Sequence, residues 1–267
     1  DASALSGSVS NFPVMVHVDN SSKFSSFWSH VTDTTNGYDI VFTDRDGTVL
    51  DYHFEKFNYA GSDLVAWVEM PQLDASRTDY LYMYYGRASA PNQLDENGTY
   101  DSDGSFVDVQ HLEESPNDGV AGHINSVSSS YAGTPQNFQD GGGGTTDATG
   151  RIDGADDFAG DDDYVNTTYN AALDPDSITW SAWVQFADLS GSNYGGVLSR
   201  NNGNDAYNIM LVESTDRVRF YVKKAAASTC GGGWSCVEYG TSVNTSDWYL
   251  LTLTHNGGSR RCSETFF

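Results

Sequence analysis

Apolar and polar residues alternate with a period of two along much of this chain, the spacing of strands with one buried face. In FPVMVHVDN, Phe12, Val14, Val16 and Val18 fall on one side. In YDIVFTDRDGTVLDYHFEKFN, Ile40 and Phe42 lead into the turn Asp44-Arg45-Asp46-Gly47 and Val49 leads out, which predicts a hairpin. DLVAWVEMP and DYLYMYYG predict two further strands. In the second, Leu81, Met83 and Tyr85 share one side and Tyr80, Tyr82 and Tyr84 the other, as in cross-strand packing. Alternation returns in DDYVNTTY, SITWSAWVQFA, YGGVLSR, AYNIMLVE, RVRFYVKK, CVEYG and WYLLTLTHNG.

Between these blocks the pattern lapses. Residues 91–105, PNQLDENGTYDSDGS, are polar and rich in turn formers, and predict a linker. Residues 115–150 are mostly Gly, Ser, Thr, Asn and Asp and predict a long loop region. The resulting expectation is an all-β chain of two β-sandwich domains, residues 1–90 and 106–267. No apolar run is long enough to cross a membrane as a helix. The chain opens on Asp1 rather than Met, and reads as a mature or trimmed form.

Composition sharpens this picture. Among 267 residues, aromatics make up 13% and charged residues only 19%, with 27 glycines, a mixture suited to strands and tight turns. The net charge of −24 repels nucleic acid and anionic membranes, so neither is an expected partner. The acids have three readings: solubility in salty surroundings, turn formation, and calcium binding in loops. They crowd most in ADDFAGDDDYV, where Asp157, Asp161 and Asp163 are the candidate calcium ligands. Carboxylates this close repel, so the stretch is either solvated or holds a cation. Phe158, Tyr164 and Val165 are expected to anchor it in the core.

Cys230 and Cys236 stand in TCGGGWSC, close enough along a Gly-rich loop for a disulfide, which points to an oxidising, extracellular setting. Cys262 is left over. Trp234, flanked by glycines in that loop, is the leading candidate for stacking on a sugar ring, with Tyr194 and Tyr207 at other loop ends. Trp180, Trp183 and Trp248 lie in strands and are expected to pack in the core. Signs of catalysis are missing from the sequence. There is no Gly-x-Ser-x-Gly elbow, no HExxH and no phosphate-binding glycine loop with its lysine. Glu113 and Glu114 are adjacent and would point to opposite faces of a strand, so they cannot share a glycosidic bond. His17 and His53 fall on expected strands and are read as surface or edge residues.

Two family resemblances follow from these blocks. NFPVMVHVDN, GYDIVFTDRDGTVLDYHFEKFN, LVAWVEMPQLDA and YLYMYYGRASA resemble, in order and spacing, the bacterial domain of unknown function 2341. That resemblance implies a secreted or surface β-sandwich and no chemistry. FVDVQHLEES, GRIDGADDFAGDDDYV, SITWSAWVQF, GGVLSRNNGNDAYNIMLVESTDRVRFYV and SDWYLLTLTHNGGS resemble laminin-G-like, concanavalin A-like jelly rolls. Ala159 stands where that family's pattern usually has an aspartate. The strands expected after THNGGS give way to RRCSETFF, so the jelly roll looks cut short. The hydrolases of this fold commonly carry Glu-x-Asp-x-x-Glu along a strand, and that spacing does not occur here.

The expected protein is therefore extracellular and non-catalytic, binding a glycan or surface polysaccharide. The alternatives are a structural subunit of an extracellular fibre and, last, a glycoside hydrolase. In the fibre reading, the segment DASALSGSVS of one copy would add as a strand to the open sheet edge of another.

Overall fold

The computed structural model describes residues 7–101, 104–116, 122–138, 148–159, 162–169, 171–173, 177–190, 194–201, 206–212, 215–223, 234–238, 240–255 and 262–265. Strands dominate, and every strand pair among the described residues is antiparallel, so the chain is all-β. It divides into two compact units, Asp1–Tyr169 and Asn170–Phe267.

The strands of the first unit are β1 (Val9–Val18), β2 (Val41–Thr43), β3 (Tyr52–Asn58), β4 (Asp63–Leu73), β5 (Tyr82–Tyr84), β6 (Gly133–Gln136), β7 (Ala148–Thr149), β8 (Gly154–Ala155) and β9 (Tyr164–Thr167). Two short helices, α1 (Ser25–Trp28) and α2 (Glu96–Asp101), join them. The main sheet has the order β1-β4-β3. Its central strand is buried at Leu64–Ala66 and again at Val68–Met70, which is why its sequence reads as a nearly continuous apolar run. Val18, Phe27, Trp28, Ile40, Phe42, Tyr52 and Leu64 build the core beneath it. The Tyr52 hydroxyl, deep in that core, donates to the Ile40 carbonyl at 2.9 Å.

Several expectations are refined here. Val14, Val16 and Val18 point inward, but Phe12 is exposed. Asn11 just before it adopts a left-handed backbone (φ 48°) and breaks the alternation. Val9 and Ser10, at the end of the expected donor segment, already pair with Leu73 and Gln72 of their own unit. The expected hairpin closes through a single bridge, Thr43 with Val49, after which the chain changes sheets. β2 then pairs with β5, and β3 with β4. The segment expected as a linker contains α2, whose Thr99 and Tyr100 are buried.

The second unit has β10 (Ile178–Gln185), β11 (Tyr194–Asn201), β12 (Ala206–Val212), β13 (Arg217–Lys223), β14 (Trp234–Glu238), β15 (Trp248–His255) and β16 (Cys262–Thr265). They form a three-stranded sheet, β10-β15-β16, and a four-stranded sheet, β11-β12-β13-β14. Leu251 and Leu253 of the first share one core with Ile209, Val218 and Phe220 of the second. β15 has a neighbour on each side, so the run WYLLTLT is not a bare edge. Trp180 packs against the core as expected, whereas Trp183 is on the outer face and 37% exposed. The strict alternation of β10 puts every second side chain outside, and Trp183 has the outward parity.

Candidate functional site

One group of ionisable side chains in the first unit grows from β3. Its pairing with β4 is regular from Tyr52 to Phe54 and then slips by one residue, so that Lys56 follows Phe54 in the ladder and Glu55 bulges out. Bulges of this kind re-aim a side chain. The indole N–H of Trp67 donates to Glu55 Oε2. Glu55 Oε1 lies 3.5 Å from His111 Nδ1. The rings of His53 and His111 are neighbours, tilted by 56° with centroids 4.8 Å apart, and the Tyr100 ring is 5.5 Å from His53. On α2, Glu96 and Tyr100 are one helical turn apart and so share a face. The Ser126 hydroxyl donates to Glu96 Oε1 at 2.6 Å. Ligand-capable atoms of His53, Glu96 and His111 all lie within 4.8 Å of one another.

His53 is therefore no surface residue: it is 7% exposed, because the bulge and α2 together cover its side of the sheet. Burial, then the neighbouring His111, pulls its pKa down to about 3 against the pull of Glu55, so its ring is neutral. Burial also works against protonated His111, but the bond and charge of Glu55 outweigh it and raise the His111 pKa. Burial pushes Glu55 up, and the contacts with His111 and Trp67 more than reverse this. His53 Nδ1, His111 Nε2 and the Tyr100 hydroxyl are buried and make no hydrogen bond.

The Asp-rich stretch is not one cluster but several separate roles. Asp156 turns inward, its Oδ2 3.0 Å from His123 Nε2, with both side chains fully withdrawn from water. Glu114 holds the other ring nitrogen at 3.2 Å and accepts from the Ile124 N–H at 2.9 Å. Asp157 is exposed. Asp163 Oδ2 accepts from the Ala159 N–H at 2.7 Å, while its Oδ1 is buried with no hydrogen bond. Asp161 lies outside the described residues. Phe158 and Tyr164 are 43% and 50% exposed rather than core anchors. Tyr164 takes the outward parity of β9, and Phe158 lies against Phe138 instead, the rings tilted with centroids 5.1 Å apart.

In the second unit the candidate sugar-binding residues fall on three strands of one sheet. Trp234 is not in a loop; it opens β14 and pairs with Lys223. Tyr194 opens β11 opposite Val212, at the far end of the sheet from Trp234. Tyr207, opposite Arg200 and Val222, has the register of Ile209, which is core. Position 234 instead has the register of Tyr221, one step along the same outer face. There the Arg219 guanidinium donates to the Tyr221 hydroxyl at 2.8 Å and lies 5.7 Å from its ring centre. Sequence reading passed over this pair, whose signal is the outward parity of Arg219, Tyr221 and Lys223 in RVRFYVKK. Cys236 pairs with Tyr221 in the ladder, and Cys230 lies outside the described residues.

Two family models match this chain. Residues 36–115 match the domain of unknown function 2341 (DUF2341), and residues 159–263 match the Concanavalin A-like lectin/glucanases superfamily. The first match runs through the expected linker and contains His53, Glu55, Glu96, Tyr100 and His111. The second contains the whole four-stranded sheet. No curated protein and no solved structure matches the chain significantly.

Proposed function

We propose that the second unit is a non-catalytic carbohydrate-binding module of an extracellular or surface protein, and that the outer face of β11-β12-β13-β14 is its binding surface. One observation carries the reading: within the stretch similar to concanavalin A-like lectins and glucanases, Arg219 and Tyr221 set a guanidinium beside an aromatic ring on the face away from the core. Sugar rings present C–H faces that stack on aromatic rings, and hydroxyls that accept from guanidinium N–H groups. Trp234 extends the same register by one step. A shared fold alone does not fix a function, since this scaffold carries both binders and hydrolases. The non-catalytic part of the reading rests on the sequence, where no strand has the alternating Glu-x-Asp-x-x-Glu acids. The extracellular part rests on the Cys230–Cys236 spacing.

The test is a panel of polysaccharides and glycans offered to the full chain. Binding should appear, and Tyr221→Ala and Trp234→Ala should each weaken it by about tenfold, the scale of one lost stacking contact. Absence of binding across the panel, or binding untouched by both substitutions, would reject this face. Release of reducing sugar from a bound glycan would reject the non-catalytic assignment.

A further inference from the structure

We propose that His53, His111 and Glu96 of the first unit form a binding site for a divalent first-row transition metal ion of the zinc type. Two imidazoles and a carboxylate are the donor set such ions prefer, and three protein ligands leave a fourth position open. Ligands of a tetrahedral ion with bonds of about 2.0–2.1 Å lie roughly 3.3 Å apart. The donor atoms here are already within 4.8 Å of one another, so small side-chain rotations close the set.

A second, independent observation points to a ligand. His53 is 7% exposed, yet its Nδ1 makes no hydrogen bond, and His111 Nε2 is buried and equally unmatched. Buried polar atoms almost always find a partner. Two orphaned ring nitrogens on adjacent rings, beside a carboxylate, are accounted for together by one cation.

The surrounding shell has the order expected around a metal. The remaining nitrogen of a metal-bound histidine normally faces a carboxylate, which fixes the ring and strengthens the ligand. His111 Nδ1 faces Glu55 Oε1 at 3.5 Å, and Glu55 is itself held by the Trp67 indole. Glu96 is held by the Ser126 hydroxyl. Calcium is the wrong occupant, because it takes six to eight oxygens and has no use for two imidazoles.

The experiment uses the full chain without a histidine tag, freed of metal by chelator and titrated with zinc chloride by calorimetry. One ion per chain should bind, and a large excess of calcium should not displace it. His53→Gln and Glu96→Gln should each weaken binding at least tenfold. Glu55→Gln, which leaves the three ligands in place, should weaken it about 10–100-fold. X-ray absorption of the zinc-loaded wild-type chain should show two imidazoles among the ligands, and this measurement decides the matter even where a variant fails to fold. Failure of the wild-type chain to take up zinc, equal uptake by His53→Gln and Glu96→Gln, or a ligand shell of oxygens alone would each overturn the site.

Discussion

His123 Nε2 and Asp156 Oδ2 lie 3.0 Å apart, and neither side chain touches solvent. The contact joins the start of the Asp-rich stretch to a residue 33 positions earlier (156 minus 123) within the first unit. Removing Asp156 leaves the buried His123 Nε2 without its facing carboxylate, with Glu114 still at Nδ1. Asp156→Ala should therefore destabilise the first unit by about 1–3 kcal/mol. Its neighbour Asp157 is exposed, and Asp157→Ala should cost less than Asp156→Ala. Urea unfolding of the two variants measures that difference.

The same histidine sets a pH dependence. Burial, the largest influence on His123, draws its pKa down, but Asp156 and then Glu114 outweigh it and hold it above the ordinary value. A group whose pKa is raised by folding contributes stability that is complete below its unfolded pKa of about 6.5 and is lost as pH rises through the folded value. Stability of the first unit should fall over that window in the wild-type chain. The His123-dependent part of the fall should be missing from His123→Gln. Parallel profiles for the two chains would contradict this assignment.

Asp39 works with the opposite sign. It is 2% exposed and accepts from the Thr32 N–H (2.7 Å) and hydroxyl (2.8 Å), the Asp33 N–H (3.2 Å) and, 47 residues away, the Gly86 N–H (3.0 Å). Burial pushes its pKa up, and these bonds more than reverse the push. Its contribution is present above the unfolded pKa of about 3.9 and is lost as pH falls through the lower folded value. Asp39→Ala strands three backbone donors, each costing about 1–3 kcal/mol when left buried and unpaired. We expect a loss of at least about 3 kcal/mol at neutral pH, smaller when measured near pH 2, read by chemical denaturation.

Gly133 of β6 offers a steric test. A Cβ there would meet Gln110 Oε1 at 2.4 Å, Val165 Cγ1 at 2.8 Å and His123 Cβ at 2.9 Å. Gly133 is also tied to His123 through its backbone, its N–H donating to the His123 carbonyl at 2.8 Å. Gly133→Ala should cost about 1–3 kcal/mol, the range for overpacking. Gly47→Ala, where nothing lies within 4 Å but φ is +85°, should cost through backbone strain alone. A thermal melt of each variant against wild type is sufficient.

How far these features were visible in the chain depends on how local their causes are. β10 alternates throughout, and β15 from Leu250 to His255, against one core, so their sequences announce them. Trp234 was hidden because the strand it opens follows a Gly-rich run that reads as loop; its pairing with Lys223 does not show in that run's pattern. α2, with the sequence ENGTYD, has little helix propensity and forms where Thr99 and Tyr100 are buried. The His53 group was least legible. Its members come from β3, α2 and the segment around His111, and only folding brings them together. Asp156 could not be told from Asp157 in sequence, since the two differ only in which way the chain turns them.

Glu55 has a further consequence as a surplus residue. The ladder of β3 on β4 runs Phe54 to Ala66 and then Lys56 to Val65, so the partner strand advances without a gap while Glu55 faces no residue of its own. Shortening the chain by that one position would leave Tyr52, His53 and Phe54 on one side, and Lys56, Phe57 and Asn58 on the other, opposite the partners they have now. Sheet pairing thus places no demand on position 55, and a chain with the residue excised could still zip its strands. What the excision would remove is the carboxylate beside His111. A one-residue change in length adds or removes this acid while leaving the strand pairing as it is.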